Sequence, residues 1–437
     1  MLLPHIKFKL RKYIEVLRAK KHTEIFYRLV APWYHGSLAL FAAFWYGFPS
    51  RRLKVIGVTG TKGKSSVVFL AAHFFENAGI LSASIGSIGA RIGDKEQSIK
   101  VTNTMPGRFV LQRFLRDAVK AGAEVAFVEV TSEGIMQNRH LGTKFDAAVF
   151  TNLEPEHIER HGSFEAYYAE KQKLFASART IHVINSDSRY AELFMKRPAR
   201  RTITFGINSG DVRANDVKCG PQGAEFSAVG IKFQSNLLGE HNIMNALAAI
   251  AIAQAYGVPL PSVKEALGKI LEIPGRLEEV RTSQPFRVFI DYAHTPESLR
   301  AAYIAVKQTG AKRLIAVLGS AGGGRDRWKR KIMGGIAVEM ADVIILTNED
   351  PYNEKPEAII ADIKSGITEN TARKEIFEYL DRTEAINKAI QTAQAGDAVI
   401  ITGKGSETVI HGAHGANMPW SDKRAVQAAL GGAKHVI

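Results

Sequence analysis

From Lys54 onward the chain alternates two kinds of apolar pattern. Short β-branched runs read as buried strands: VIGVTG (55–60), AFVEVTS (126–132) and AAVFTNL (147–153). Between them lie longer stretches whose apolar residues recur at helical spacing. A second set of strands follows in RVFIDYA (287–293), RLIAVLG (313–319), DVIILTN (342–348) and DAVIITG (397–403). Strands alternating with helices predict an α/β fold, with mostly parallel sheets covered by helices. ILEIPGRLEEV (270–280) separates the two sets, and its Pro274-Gly275 pair marks a helix end and a hinge. The expected domains are therefore 51–276 and 277–437, preceded by a short helical segment at 1–50.

Within that first segment, LVAPWYHGSLALFAAFWYGFPS (29–50) contains no Asp, Glu, Lys or Arg. Its helical part, Ser37 to Tyr46 between the brackets of Pro32 and Pro49, is shorter than the ~20 apolar residues of a spanning helix. Trp33, Tyr34, Trp45 and Tyr46 suit a membrane interface. The alternative is a helix that packs on the next domain.

Composition narrows the class. Apolar residues at 46% and charged residues at 23% describe an ordinary folded protein, and 437 residues exceed a single compact core. The single Cys219 excludes an internal disulfide framework and a multi-cysteine zinc site, which fits a reducing cytoplasm. No short apolar core with a small-residue cleavage site follows the first basic residues, so no cleavable signal is expected. The net charge of +15 is uneven: residues 1–54 hold eleven Lys or Arg against Glu15 and Glu24. Such a patch suits anionic lipid, nucleic acid or a phosphorylated substrate, or is a solvated helix face. No nucleic-acid motif accompanies it, so no nucleic-acid partner is expected. Peripheral membrane contact through 1–50 stays open, and a monomer is expected.

Candidate chemistry begins at GVTGTKGKSS (57–66), between a strand and a helix. Its glycines allow close backbone approach, amides at the helix start meet phosphate oxygens, Lys64 adds a cation, and Ser65 can ligate Mg²⁺. The glycines, Gly57, Gly60 and Gly63, depart from strict Walker spacing, which would place the first at Val58. The loop predicts a nucleotide, ATP, that drives motion, sets a signal or activates a carboxylate.

Glu129 and His157 follow buried strands, at the sheet edge where open α/β folds bind ligands. A hard-cation site of Ser65, Glu129 and phosphate oxygens is chemically reasonable. By pattern alone, Lys171 in FEAYYAEKQKLF (164–175) is a solvated helix lysine. IDYAHTPESL (290–299), GSAGGGRDRWKR (319–330) and ITGKGSETVI (401–410) are further loops at strand exits, suited to a cleft with several substrates.

In order, VTGTKGKSS, NTMPGRFVLQ, VEVTSEGIMQNR, DAAVFTNLEPEHIERHGSFEAYYAEKQKLF, LLGEHNIMNALAA, IPGRLEEV, DYAHTPESL, GGGRDRWKRKIMG, TNEDPYNEKP, GKGSE and PWSDKRAVQAAL resemble the ATP-dependent Mur ligases. The likeness spans about residues 53–430 and is greatest to ligases that add the third residue of the peptidoglycan stem peptide. It implies a central P-loop ATPase-like domain with a mostly parallel sheet and a C-terminal Rossmann-like domain. The implied reaction adds an amino acid (diaminopimelate, lysine or similar) to a UDP-N-acetylmuramoyl-dipeptide through an acyl phosphate, with ATP and Mg²⁺.

Residue by residue, the resemblance assigns ATP to Gly60, Thr61, Lys62, Gly63, Lys64, Ser65, Ser66, Asn242, Arg276 and Asp291. It assigns metal binding to Ser65, Glu129, His157 and Lys171, the last carbamylated and so turned from a cation into a carboxylate-like ligand. Lys64, Lys171, His157 and Glu129 form the implied catalytic group. Asn103, Thr104, Thr131, Gln137 and Arg139 match contacts to the muramoyl dipeptide. Arg325, Glu349, Asp350, Tyr352, Gly403 and Glu407 lie around the incoming amino acid.

Several positions depart from the family pattern. Ser132-Glu133 replaces Ser-His, and Gly405-Ser406-Glu407 replaces Gly-His-Glu. Glu349-Asp350-Pro351-Tyr352 stands where diaminopimelate-adding members carry Asp-Asn-Pro-Arg, and tyrosine cannot grip a carboxylate bidentately. The family's uridine-binding first domain is matched here by a basic, aromatic segment, so the resemblance also admits a lipid-linked or other acceptor. A P-loop ATPase without ligation leaves Lys171 and DYAHTP unexplained.

Overall fold

The computed structural model describes residues 21–99, 104–156, 158–281, 283–367 and 374–431, with backbone alone for 21–32. Among the described residues, nine strands form the first sheet. These are β1 (Lys54–Thr59), β2 (Ser82–Gly86), β3 (Gly89–Ile92), β4 (Lys95–Glu96), β5 (Val125–Glu129), β6 (Phe145–Phe150), β7 (Ile181–Asn185), β8 (Arg201–Gly206) and β9 (Val212–Arg213). Their spatial order is β4-β3-β2-β5-β1-β6-β7-β8-β9. Pairing is parallel from β2 to β9 and antiparallel at β3 and β4.

The central strands β1, β5, β6 and β7 are almost wholly buried because both faces of the sheet are covered there. Alternate residues of β5 feed opposite layers: Val125 and Phe127 join one core, Ala126 and Val128 the other. The first core also holds the helix Glu240–Ala255, apolar all round and wedged against the helix Lys64–Asn77 that follows the phosphate loop. An antiparallel sheet of β10 (Asn215–Gly220), β11 (Gly223–Ala228) and β12 (Ile231–Ser235) adds Ala224, Phe226 and Phe233 to that core.

The second large sheet runs β13-β14-β18-β15-β16-β17, with β13 (Glu278–Glu279), β14 (Arg287–Asp291), β15 (Leu314–Leu318), β16 (Val343–Thr347), β17 (Glu375–Tyr379) and β18 (Ala398–Thr402). All its pairs are parallel except β13 with β14. The predicted strands stand within three residues of their expected limits, those expected to end at 132 and 153 stopping at Glu129 and Phe150, and the α/β class is as expected.

One expectation is corrected. Pro32 does not bracket the first helix, which runs Lys21–Trp45 straight through it. Proline removes one backbone donor, and the helix bears that loss over its 25 residues.

Candidate active site

The loop between β1 and the helix Lys64–Asn77 lies at the carboxyl edge of the first sheet, beside its central strand. It is cross-braced to the exit of β6. Thr61 N donates to Asn152 O at 3.0 Å, Lys62 N to Asn152 Oδ1 at 2.7 Å, and Thr151 Oγ1 to Lys62 O at 2.6 Å. Two glycines are obligatory. Gly60 (φ 153°) and Gly63 (φ 81°) have positive φ, and a Cβ on either would overlap Thr151 Oγ1 or Asn245 Oδ1. Gly63 also begins the helix without a side-chain cap, which leaves the first amides for an anion.

Two lysines turn toward this loop. Lys64 Nζ donates to Gly60 O at 3.1 Å and Thr61 O at 2.9 Å. Burial lowers its pKa to about 8, against the opposing pull of Glu129 and Glu156. Lys171, from the helix Phe164–Ser177, is 2% exposed and donates to Gly60 O at 2.8 Å. Burial, then the neighbouring Lys64, hold its amine well below the usual lysine range. The solvated lysine read from pattern alone is thus a buried, electron-rich amine.

Glu129 ends β5 fully buried, its Oε1 accepting from Ser87 N at 2.8 Å. Ser65 Oγ accepts from Arg276 at 3.0 Å, and Arg276 lies over the Tyr292 ring at 4.4 Å. Asp291, at the end of β14, accepts from Leu277 N and Ala293 N, both at 2.7 Å. Asn242 sits buried at the start of the helix Glu240–Ala255, where Asn245 donates to it at 3.2 Å and abuts Gly63. The residues expected around ATP are therefore gathered from both large sheets. Ser66 is buried in the first turn of the helix after the loop. His157 and Asn103 lie outside the described residues.

Sequence reasoning missed a junction beside this loop. Lys62 Nζ meets both Glu156 oxygens at 3.2 and 3.3 Å, and His294 Nε2 lies 3.1 Å from Glu156. His294 Nδ1 donates to Tyr292 O at 2.8 Å, and burial with Lys62 lowers its pKa to about 3. The clue was present: Glu156 comes after the same buried strand as its neighbour His157, which was expected at the site.

The expected acceptor residues form a second group. Thr104 accepts from Ser87 at 3.1 Å, and Thr131 caps the helix Ser132–Met136. Gln137 Oε1 accepts from Arg139 at 2.7 Å, and Arg139 also donates to Met105 O.

The third group surrounds the exits of β16 and β18. Lys404, fully buried, joins Asp350 at 2.9 Å and Glu407 at 2.5 Å, and Tyr292 OH donates to Glu407 at 3.1 Å. Lys404 was not anticipated, although it lies inside the quoted GKGSE. Glu349 is buried against Gly403 with Oε2 lacking a hydrogen bond, and burial raises its pKa to about 7. Arg325 donates to Tyr352 OH at 2.7 Å, and Tyr352 stacks on His411.

The cradle closed to any Cβ, the free amides and the two buried amines fit a nucleotide triphosphate. Glu129 and a carboxylated Lys171 would be a hard-oxygen donor set for Mg²⁺.

Comparisons with known proteins agree. The Mur ligase middle domain matches residues 58–253, and the Mur ligase glutamate ligase domain matches 275–405. A UDP-N-acetylmuramoyl-L-alanyl-D-glutamate--2,6-diaminopimelate ligase from Geobacillus thermodenitrificans is 37% identical, over 87% of this chain and 79% of that protein. A UDP-N-acetylmuramyl-tripeptide synthetase from a Roseiflexus species is 36% identical, over 90% of this chain and 82% of its own. A solved structure of a UDP-N-acetylmuramoyl-L-alanyl-D-glutamate--2,6-diaminopimelate ligase superposes with a TM-score of 0.60 at 33% identity, covering 87% of this chain and 78% of the other. With family models matching both large sheets in order, and relatives above 30% identity along most of its length, the chain belongs to the Mur ligase family.

Proposed function

We propose that this chain, an ATP-dependent, ADP-forming amide ligase, joins a diamino acid to the free carboxylate of a muramoyl dipeptide. Relatives named for that reaction support the acceptor, and the group at Arg325, Glu349, Asp350, Tyr352, Gly403 and Glu407 is the reading's amino-acid pocket. The single observation that carries the proposal is the paired burial of Lys64 and Lys171 on the Gly60 carbonyl.

A neutral, buried lysine amine adds CO₂ through a new N–C bond and loses one N–H proton, which the neighbouring Lys64 amine takes up, so Lys171 becomes a carbamate anion beside a charged Lys64. In this reading Ser65, Glu129, His157 and carbamylated Lys171 hold Mg²⁺, and Gly60–Ser66 hold the phosphates. ATP with Mg²⁺ supplies the phosphoryl group that makes the acceptor carboxylate a better electrophile, as an acyl phosphate. Lys64 neutralises phosphate charge, Arg276 and Asp291 fix the nucleotide across the hinge, and Asn242 braces the phosphate loop. Asn103, Thr104, Thr131, Gln137 and Arg139 hold the acceptor.

The two halves, 51–276 and 277–437, meet through Lys62, Glu156 and His294, and Asp326 N donates to Glu159 at 2.9 Å. Closure at this junction excludes water from the hydrolysable intermediate. The test is phosphate release with ATP and Mg²⁺. Release that requires both the muramoyl dipeptide and an amino acid supports ligation, whereas equal release without them leaves a plain ATPase.

A further inference from the structure

The first helix, Lys21–Trp45, buries its small side and exposes its aromatic side. Ala39, Ala42 and Ala43 are fully buried, Ala43 against Gly142, and Gly36 lies beside Leu141. On the other side, Trp33 (81% exposed), Tyr34, Leu40, Phe41, Phe44 and Trp45 (68%) share one arc, at about 100° per residue. Phe41 continues this patch onto Phe109 of the next packed helix, Arg108–Lys120. A folded protein does not ordinarily leave contiguous large aromatics in water.

Charge indicates what covers the patch. Arg51 and Arg52, just after the helix, and Arg113, on the same helix as Phe109, are exposed, and Arg51 and Arg116 lie over the Phe48 and Tyr46 rings at 4.4 and 4.9 Å. Residues 29–50 carry no charged side chain, and 1–54 hold eleven Lys or Arg against two Glu. A band of Trp, Tyr and Phe edged by cations is the chemistry of a bilayer interface with anionic headgroups. No helix among the described residues is long and apolar enough to cross a membrane. We propose that this helix docks the enzyme flat on an anionic lipid surface.

The helix also adjoins the acceptor group. Arg108 donates to His35 Nδ1 and to Gln137 O, both at 3.0 Å, and Asn138 lies against Gly36. Docking by the aromatic side therefore places Gln137 and Arg139 behind the helix, one helix diameter (~10 Å) from the lipid, so the site lies near an acceptor held at the membrane through a lipid diphosphate. This second step rests on the ligase reading; the docking does not.

Flotation of the full chain separates the two. Vesicles of phosphatidylcholine alone are compared with vesicles containing a minority of phosphatidylglycerol, at low and high salt. The expected result is flotation with the anionic vesicles only, weakened by salt, and lost in the triple variant Trp33→Ser, Phe44→Ser, Trp45→Ser. That variant keeps amino-acid-dependent phosphate release with a water-soluble UDP-linked acceptor, which shows that it folds. Protein that stays at the bottom of the gradient, or a triple variant that floats equally, overturns the docking. A concentration-dependent dimer abolished by the same substitutions also overturns it, in favour of a second copy on this face. Flotation with no amino-acid-dependent release on the UDP-linked acceptor leaves docking standing and removes the UDP-muramoyl dipeptide as acceptor.

Discussion

The ε-amines of Lys64 and Lys171 donate to the same acceptor, the carbonyl of Gly60, at 3.1 and 2.8 Å. Two ammonium groups so close, both out of water, repel; the arrangement relaxes when one amine is neutral or becomes an anion. Carbamylation of Lys171 does the latter and restores full charge to Lys64.

Lys171→Ala therefore lowers ligation by at least about 10²-fold, the scale of losing a charged group at a phosphoryl-transfer centre. ¹³C-bicarbonate gives a carbamate resonance in the native protein and none in the variant. Full activity, or the same resonance in both, counts against the carbamate.

Lys64→Met acts in opposite directions on two quantities. The folded pKa of about 8 lies below the unfolded value of 10.5, so folding penalises the charged amine at neutral pH. That penalty fades as pH rises from about 8 toward 10.5. Without nucleotide, the variant is on the order of 1–2 kcal/mol more stable at pH 7. With ATP it binds about tenfold or more weakly, through lost charge-assisted hydrogen bonds. Thermal melts with and without ATP read both.

Much of this was legible in the chain. The β-branched runs located the strands because both faces of each are buried, which leaves no polar alternation to confuse the reading. The antiparallel strands Asn215–Gly220 and Ile231–Ser235 escaped, since each covers a core on one side only and is polar on the other. Lys171 shows the limit of pattern: a helix lysine looks solvated until the loop that covers it is known. Lys404 escaped for a related reason, its carboxylate partner Asp350 being 54 residues away.

Glu349 sets a pH dependence. Its folded pKa of about 7 lies above the ordinary 4.5, so the folded state binds more protons between those values. Stability falls as pH rises through that window. Glu349→Gln flattens this part of the curve, measured by denaturant midpoints from pH 5 to 8 in otherwise identical buffers. An unchanged slope would mean that the buried carboxylate is not the titrating group.

Tyr352→Arg puts a bidentate donor next to Arg325, where Tyr352 OH now accepts at 2.7 Å. The ratio of kcat/KM for diaminopimelate over lysine rises by about tenfold or more, because only diaminopimelate offers a distal carboxylate. No change in that ratio would place the distal group elsewhere.

ATP here activates a carboxylate for amide formation. The most direct measurement is product mass after incubation of the full chain with ATP, Mg²⁺, UDP-muramoyl dipeptide and a panel of amino acids. The expected products are ADP, phosphate and one new species, the dipeptide plus a diamino acid less water. ATP hydrolysed to ADP with the dipeptide recovered unchanged across the whole panel would contradict it.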